Sequence, residues 1–487
     1  MDEQQEQQEA AKTGGKLTAF WDAWGTKINY GMGATGKGLS YGIYGKLEIF
    51  LLTVLKIKKS WLAPLFFIEK IWDGVNDMMM GVIIDNTYTK WGKFRPWCFI
   101  GAVTNALMVV ATFGPPDALR SHPVWLFVYI AFFYLMWDMT YTPVDVAYYA
   151  MIPALSSSQK ERDQYAMIPR LFSGIVGIPM AFTMVLVEKI GSGEGMAAWG
   201  SGLFRLALIT SAIYVVTSTY SAITTKERSI APPPPREERV KFSFLDGVKI
   251  LLHNRQVLVV VGVMILFNMA SNLTNSAGGY YLLFVVDSSP LEGTLNLLKG
   301  AASGVGLFLF PLVSGWLGRK KVYSGTLLLP CLGYILMAAV TYTVPAARIF
   351  LPLAAATFIA FIGYGSMSVM QSVMLADGVD YGEYETGYRN EGIIFSMLTM
   401  LSKLAGAFQS LATMITFSVV KFGGEDAVTA TLLAQRGISF LMFILPPVLL
   451  LCAYALYKGG YKLTPERMEQ VKEELAARKE EAAAAEV

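Results

Sequence analysis

The sequence predicts an all-α membrane protein in which twelve transmembrane helices form two six-helix halves, and three observations carry that expectation. Of the 487 residues, 54% are hydrophobic and only 16% charged, the balance of a polytopic membrane protein. The chain contains twelve apolar runs, each about 17 residues or longer and so able to cross a bilayer. A polar stretch after the sixth run separates them into equal sets.

The same composition excludes other classes. A net charge of +3 is too small and dispersed for a nucleic-acid partner. Cys98, Cys331 and Cys452 lie in separate apolar runs, which argues against disulfides and a zinc site. The only histidines, His122 and His253, fall between runs. With no metal-ligand cluster, activated serine or cysteine, or nucleotide loop, no enzyme and no cofactor is expected.

Residues 1–26 are hydrophilic and lack a basic n-region and a cleavage site, so no signal peptide is expected. The first span, Lys27–Leu55, is rich in glycine: Gly31, Gly33, Gly36, Gly38, Gly42 and Gly45. Gly31–Gly38 nearly matches a phosphate-binding loop, but Gly38 stands where a hydroxyl should coordinate magnesium, and no strand precedes it. Close helix packing is the better account. Lys37, Lys46 and Glu48 share this span. Lys46 reads either as a structural partner of Glu69 or Glu48, or as an attractor for an anionic substrate group.

The second span, Trp61–Ile84, carries Glu69, Asp73 and Asp77 spaced four apart, on one helical face. Each acid near mid-membrane costs about 2.5–3.5 kcal/mol, whereas each Leu or Ile returns only about 0.5. Either they hold a cation or proton in a watery pathway, or they form a structural network with Lys70 or a lysine of a neighbouring helix. Intramembrane acids usually face cavities and ion routes, which supports the first reading.

The third span, Trp97–Phe113, follows a loop bearing Lys90, Lys93 and Arg95. The fourth, Val124–Ile152, places Asp138, Tyr141, Asp145 and Tyr149 at helical spacing, with Thr142 beside them. Carboxylates that accept hydroxyls, next to flat aromatic faces, suit sugars; a packing stripe is the alternative. Arg170 opens the fifth span, Ala166–Val187, as a partner for Asp145, structural or as part of a ligand clamp. Gly202–Ile223 completes a first half of residues 27–223.

Residues 224–255 form a polar linker in which Pro232–Pro235 favour an extended spacer. The second half, residues 256–457, has spans at Val257–Val286, Leu291–Leu317, Val322–Val344, Ile349–Leu375, Glu391–Phe422 and Thr431–Tyr457. Lys403 lies well inside the eleventh, near Thr399 and Gln409, as a cavity charge or a snorkelling lysine. Before that span, Asp377, Asp380, Glu383 and Arg389 crowd one turn. Paired with Lys93 or Arg95, these acids would latch the halves in one state; a solvated loop is the alternative. The tail, residues 458–487, has an N-cap Thr464 and a first-position Pro465, and reads as a soluble helix that frays at its end.

Basic loop residues set the orientation. Lys90, Lys93, Arg95, Lys160, Arg162, the linker and Arg319–Lys321 outweigh the opposite side, placing both termini and the linker in the cytoplasm of a plasma or inner membrane. Lys56, Lys58 and Lys59 argue the other way. Gly81 leading into Gly92-Lys93-Phe94-Arg95 is echoed by Gly315 leading into Gly318-Arg319-Lys320-Lys321. Two related six-span halves are the major facilitator arrangement, with a substrate site near the midplane.

Residues 27–457 resemble the glycoside–pentoside–hexuronide:cation symporter family of the major facilitator superfamily, whose best-known member is the melibiose permease. The resemblance is carried by IWDGVNDMMMG (Ile71–Gly81), WGKFRPW (Trp91–Trp97), MTYTPVDVAYYAMIP (Met139–Pro153), Asp377–Gly392 and the span around Lys403. It implies a cation site at Asp73, Asn76, Asp77 and Thr142, with Asp73 and Asp77 on sodium or lithium unless the coupling ion is a proton. It implies substrate contacts at Lys37, Tyr141, Asp145, Tyr149 and Arg170, with Thr399 and Lys403 near the cavity. Gly38 replaces the sugar-binding aspartate of the melibiose permease and Ser368 an expected tryptophan, which weakens the case for a melibiose-like galactoside. The expected function is cation-coupled symport of a sugar, glycoside or hexuronide by a lipid-embedded monomer. A lysolipid or other amphiphile transporter and a non-transporting receptor are the alternatives.

Overall fold

The structure is a computed structural model that describes residues 24–156, 158–227, 254–343, 349–386, 391–426 and 431–485. Most of the expected segments 1–26 and 224–255 lies outside the described residues, as do Arg389 and the side chain of Thr399.

Every regular element among the described residues is helical. The first, α1 (24–44), passes Gly45 and Lys46 into a short helical turn and then a π-turn at Phe50–Val54. It is followed by α2 (Lys59–Asp85), α3 (Arg95–Phe113), α4 (Pro123–Ala150), α5 (Gln159–Ala181), α6 (Thr183–Ile190) and α7 (Met196–Thr224). Next come α8 (Arg255–Tyr280), α9 (Ser289–Leu317), α10 (Arg319–Thr343), α11 (Phe350–Thr386) and α12 (Glu391–Val419). The last are α13 (Leu432–Ser439), α14 (Leu445–Gly460) and the tail helix α15 (Pro465–Ala485).

Among the described residues, eight helices are long and apolar enough to cross a membrane, or nine if α5 and α6 count as one span bent by 52°. That bend follows Pro179, whose ring removes a helical hydrogen bond. The twelve expected spans are therefore not all assigned by composition. Helix α2 has the length, 27 residues, but Glu69, Lys70, Asp73 and Asp77 make it too charged to place by apolarity alone.

The two halves carry a geometric echo. The π-turn Phe50–Val54 precedes Lys56 in a left-handed conformation (φ 53°), and the π-turn Tyr281–Val285 precedes Asp287 at φ 56°. Gly92 (φ 124°) leads into α3 and Gly318 (φ 78°) into α10, conformations that an L side chain resists.

The chain divides into two compact units, Met1–Leu55 with Val75–Arg236, and Lys56–Gly74 with Glu237–Val487. Glu69 and Asp73 thus belong to the second unit, and Asn76 and Asp77 to the first. In the first unit, Tyr30 stacks on Tyr148 at 4.4 Å, and each hydroxyl donates to the other residue's carbonyl at 2.6 Å. The glycines of α1 make this possible: a β-carbon at Gly33 would strike Tyr148 and Ser221, and one at Gly36 would strike Tyr214 and Thr217. The near-match to a phosphate loop is thus a packing face.

In the second unit, α9 crosses α11 at Gly306 and Gly365, where the Ser366 hydroxyl donates to the Gly306 carbonyl at 3.0 Å. The tail helix is docked rather than loose. Leu463, Met468, Val471 and Leu475 pack against Tyr381, Tyr384 and Tyr461. Arg478 donates to the Tyr384 carbonyl at 2.9 Å, and its guanidinium lies 4.9 Å from the Tyr384 ring.

Candidate cation and substrate site

Asn76 and Thr142, both expected to serve a cation, meet in the first unit: the Asn76 amide donates to Thr142 Oγ1 at 3.0 Å. The same amide reaches the Asp138 carbonyl and Oδ2, each at 3.4 Å. All three side chains are buried. Asp138 was visible in the α4 stripe only as a possible sugar contact; its position four residues before Thr142 was the signal that it belongs with the polar set. Asp77 is half-buried one residue on from Asn76.

Lys37 pairs with Asp145 at 2.5 Å. Its ammonium lies 4.7 Å from the Tyr148 ring and 4.3 Å from the Tyr149 ring, a cation flanked by two aromatic faces. Lys37 is nearly closed to solvent (6%), whereas the Asp145 side chain is 44% exposed, so the pair presents its acidic member outward. Asp145 therefore takes Lys37 rather than the anticipated Arg170, which is exposed and forms no ion pair among the described residues.

Tyr141 joins an aromatic column that the sequence did not reveal. Trp137 stacks on Tyr141 at 5.1 Å and on Tyr44 at 3.4 Å, and Tyr44 stacks on Tyr134 at 5.8 Å. Tyr41, largely exposed, lies 6.1 Å from Tyr141. Spacing alone puts Asp138, Tyr141, Asp145 and Tyr149 on one stripe. In the structure Asp138 is enclosed, while Asp145 and Tyr149 face open space.

In the second unit, Lys403 pairs with Asp73 Oδ1 at 2.6 Å and also donates to the Asp73 carbonyl at 3.1 Å. Lys70 pairs with Glu69 at 3.2 Å, and the Glu69 carboxylate is almost wholly buried. Two of the α2 acids, Glu69 and Asp73, are thus each paired with a lysine, one adjacent in sequence and one distant.

Of the residues expected to gate, Lys93, Arg95 and Asp377 have hydrogen-bond partners within their own units. The Glu227 carboxylate accepts the backbone N–H groups of Lys93 (2.9 Å), Phe94 (2.9 Å) and Arg95 (3.0 Å) at the start of α3. The Arg95 guanidinium donates to the Ala222 (2.5 Å) and Ile223 (2.8 Å) carbonyls at the end of α7. Asp377 accepts from the Tyr461 hydroxyl at 3.3 Å. Burial, and then Asp377, push the Tyr461 phenol well up, keeping it a donor. Glu383 is buried and Asp380 half-buried on the same end of α11.

Residues 29–464 match the family of MFS/sugar transport proteins. The chain is 25% identical over 463 residues to a lactose permease of Lactobacillus delbrueckii subsp. bulgaricus, covering 92% of this chain and 72% of the permease. It is 25% identical over 452 residues to a putative glycoside/cation symporter, YagG, of Escherichia coli, covering 92% and 94% respectively. Among solved structures, the nucleoside transporter NupG superposes with a TM-score of 0.62 at 13% identity, covering 89% of this chain and 100% of that one. The fold is that of the major facilitator transporters.

Proposed function

The chain belongs to the MFS/sugar transport protein family, multi-pass transporters rather than enzymes, and on that premise we propose that it carries a sugar or glycoside in symport with a monovalent cation. The names of its relatives, a lactose permease and a glycoside/cation symporter, support this reading. The observation that carries it is the Asp73–Lys403 pair, 2.6 Å apart. A carboxylate inside a spanning helix is neutralised by a protein cation that a mobile cation can replace.

Asp73 and Asp77 supply charge, and Asn76 and Thr142 supply neutral oxygens, a donor set suited to sodium or lithium. A proton taken by one of the two carboxylates would serve the same coupling. Arrival of the cation frees Lys403, and substrate favours the same state, so each ligand raises the other's affinity. Alternating exposure of the loaded site completes the cycle.

Lys37, Asp145, Tyr149 and the column around Tyr141 receive the sugar. Because Asp145 already matches the charge of Lys37, a neutral glycoside fits without displacing either, whereas a hexuronide would have to unseat Asp145. We further propose Arg170, Thr399 and Lys403 as substrate contacts. Both termini are placed in the cytoplasm. Of the lysines that oppose this orientation, Lys59 is buried and paired with Asp426 at 2.6 Å, which removes its weight as a loop charge.

The test is uptake of labelled glycosides into proteoliposomes under an inward sodium or proton gradient. Accumulation above equilibrium under one of the two, lost in Asp77→Cys, is expected. Binding without flux would mean a receptor, and equal uptake with and without either gradient would remove the coupling.

A further inference from the structure

The second unit holds a concave site whose lining, apart from Asp377, consists of residues given no part in the transport cycle. A pocket of about 650 Å³, mouth included, lies between the start of α10, the end of α14 and the strap that follows it. Arg319, Lys320 and Lys458 line it. None of the three forms an ion pair among the described residues. The one acid in the lining, Asp377, is engaged by the Tyr461 hydroxyl at 3.3 Å.

Two further features point to an anionic ligand. Tyr323, also in the lining, is 3% exposed, and its buried hydroxyl has no hydrogen-bond partner among the described residues. A buried donor left so is unfavourable unless a ligand supplies the acceptor. The lining also includes the first turn of a 25-residue helix, whose backbone N–H groups and dipole favour negative charge.

The helix that leads into α10 indicates where the anion comes from. Phe308, Leu312 and Trp316 recur every fourth residue along α9, and all three are strongly exposed, Trp316 at 93%. On a spanning helix such a stripe faces acyl chains, and a terminal tryptophan marks headgroup depth. Arg319 follows three residues later. Basic pockets between helix ends at this depth suit lipid phosphates. The Asp377 carboxylate disfavours a doubly charged phosphate and tolerates the single charge of a phosphodiester.

The geometry points to a binding site for the phosphodiester headgroup of an anionic phospholipid, held by Arg319, Lys320, Lys458 and the Tyr323 hydroxyl, with its chains along Phe308, Leu312 and Trp316. The test uses the full-length protein in phosphatidylcholine nanodiscs with and without phosphatidylglycerol, reading retained lipid by native mass spectrometry and stability by thermal shift. Phosphatidylglycerol should be retained at least tenfold over phosphatidylcholine. Arg319→Gln and Lys458→Gln should each reduce that preference roughly five-fold. Tyr323→Phe, which keeps the ring, should weaken retention several-fold, and decides the matter if the charge variants do not fold. Equal retention of the two lipids, or unchanged preference in Tyr323→Phe together with folded charge variants, overturns the proposal. Stabilisation by millimolar inorganic phosphate equal to that by the lipid overturns the lipid assignment in favour of a soluble anion.

Discussion

Lys403 grips Asp73 twice, through the carboxylate at 2.6 Å and the backbone carbonyl at 3.1 Å, joining α12 to the middle of α2. The side chains are 21% and 17% exposed, so the pair is neither dry nor freely solvated. Breaking a fully buried pair by removing one partner costs about 3–5 kcal/mol. Partial exposure screens this pair, and a loss of about 2 kcal/mol is expected for Asp73→Asn or Lys403→Met. The double variant should recover at least about 1 kcal/mol of the summed loss. Strictly additive thermal-denaturation losses would show that the two charges are not energetically joined. In transport, Lys403→Met removes the cation's competitor and should raise cation affinity about tenfold, which corresponds to about 1.4 kcal/mol. Weakened cation affinity in that variant would sink the exchange mechanism.

The Lys37–Asp145 pair should respond asymmetrically. Asp145→Asn strands a lysine that is only 6% exposed, with the Tyr148 and Tyr149 rings as partial compensation. Lys37→Met strands an aspartate that is 44% exposed and stays hydrated. A stability loss of about 2–3 kcal/mol is expected for the first and under about 1 kcal/mol for the second. Both should lose substrate binding, measurable by titration calorimetry. Equal destabilisation by the two would contradict the burial asymmetry.

Why were Asp145 and Lys37 legible as site residues while their pairing was not? Helical spacing fixes which residues of α4 fall near one another, and that information is local. Which cation reaches Asp145 depends on which helix comes close, and spacing along the chain points to Arg170 on α5 rather than to Lys37 on α1. The choice was made by the glycines of α1: the missing β-carbons at Gly33 and Gly36 bring α1 against Tyr148 and Tyr214. The acids of α2 were legible for the same local reason, and Lys403 as an isolated membrane charge, but not their pairing across 330 positions. The docked tail was missed because abundant Ala, Glu, Lys and Arg masked a sparse apolar face of Met468, Val471 and Leu475.

The glycine face offers its own test. A β-carbon at Gly36 meets the Tyr214 backbone and ring as well as Thr217, and Tyr214 is fully buried and cannot retreat. Gly36→Val should cost about 2–3 kcal/mol through overpacking, with a matching fall in thermal midpoint. At Gly177, on α5, nothing lies within 4 Å of the added carbon. Gly177→Ala should therefore be neutral or stabilising by up to about 1 kcal/mol from helix propensity. A tolerated Gly36→Val would mean that α1 does not need its close approach.

Arg95 and Glu227 tie two helix ends together, and this separates a capping role from a gating one. Glu227 satisfies three N–H groups at the start of α3, and Arg95 satisfies two carbonyls at the end of α7. These are groups that a helix leaves unpaired. Lysine at position 95 keeps the charge but not the planar fork that spans adjacent carbonyls. Arg95→Lys should therefore destabilise by about 1–2 kcal/mol, and Glu227→Ala by about 2–3 kcal/mol, each lost hydrogen bond to a charged group contributing about 1 kcal/mol or more. Because both caps lie within the first unit, neither variant should change the cation dependence of uptake in the fraction that stays folded. If Arg95→Lys left the thermal midpoint unchanged and altered only the transport rate, the arginine would be acting on the conformational cycle rather than on the helix ends.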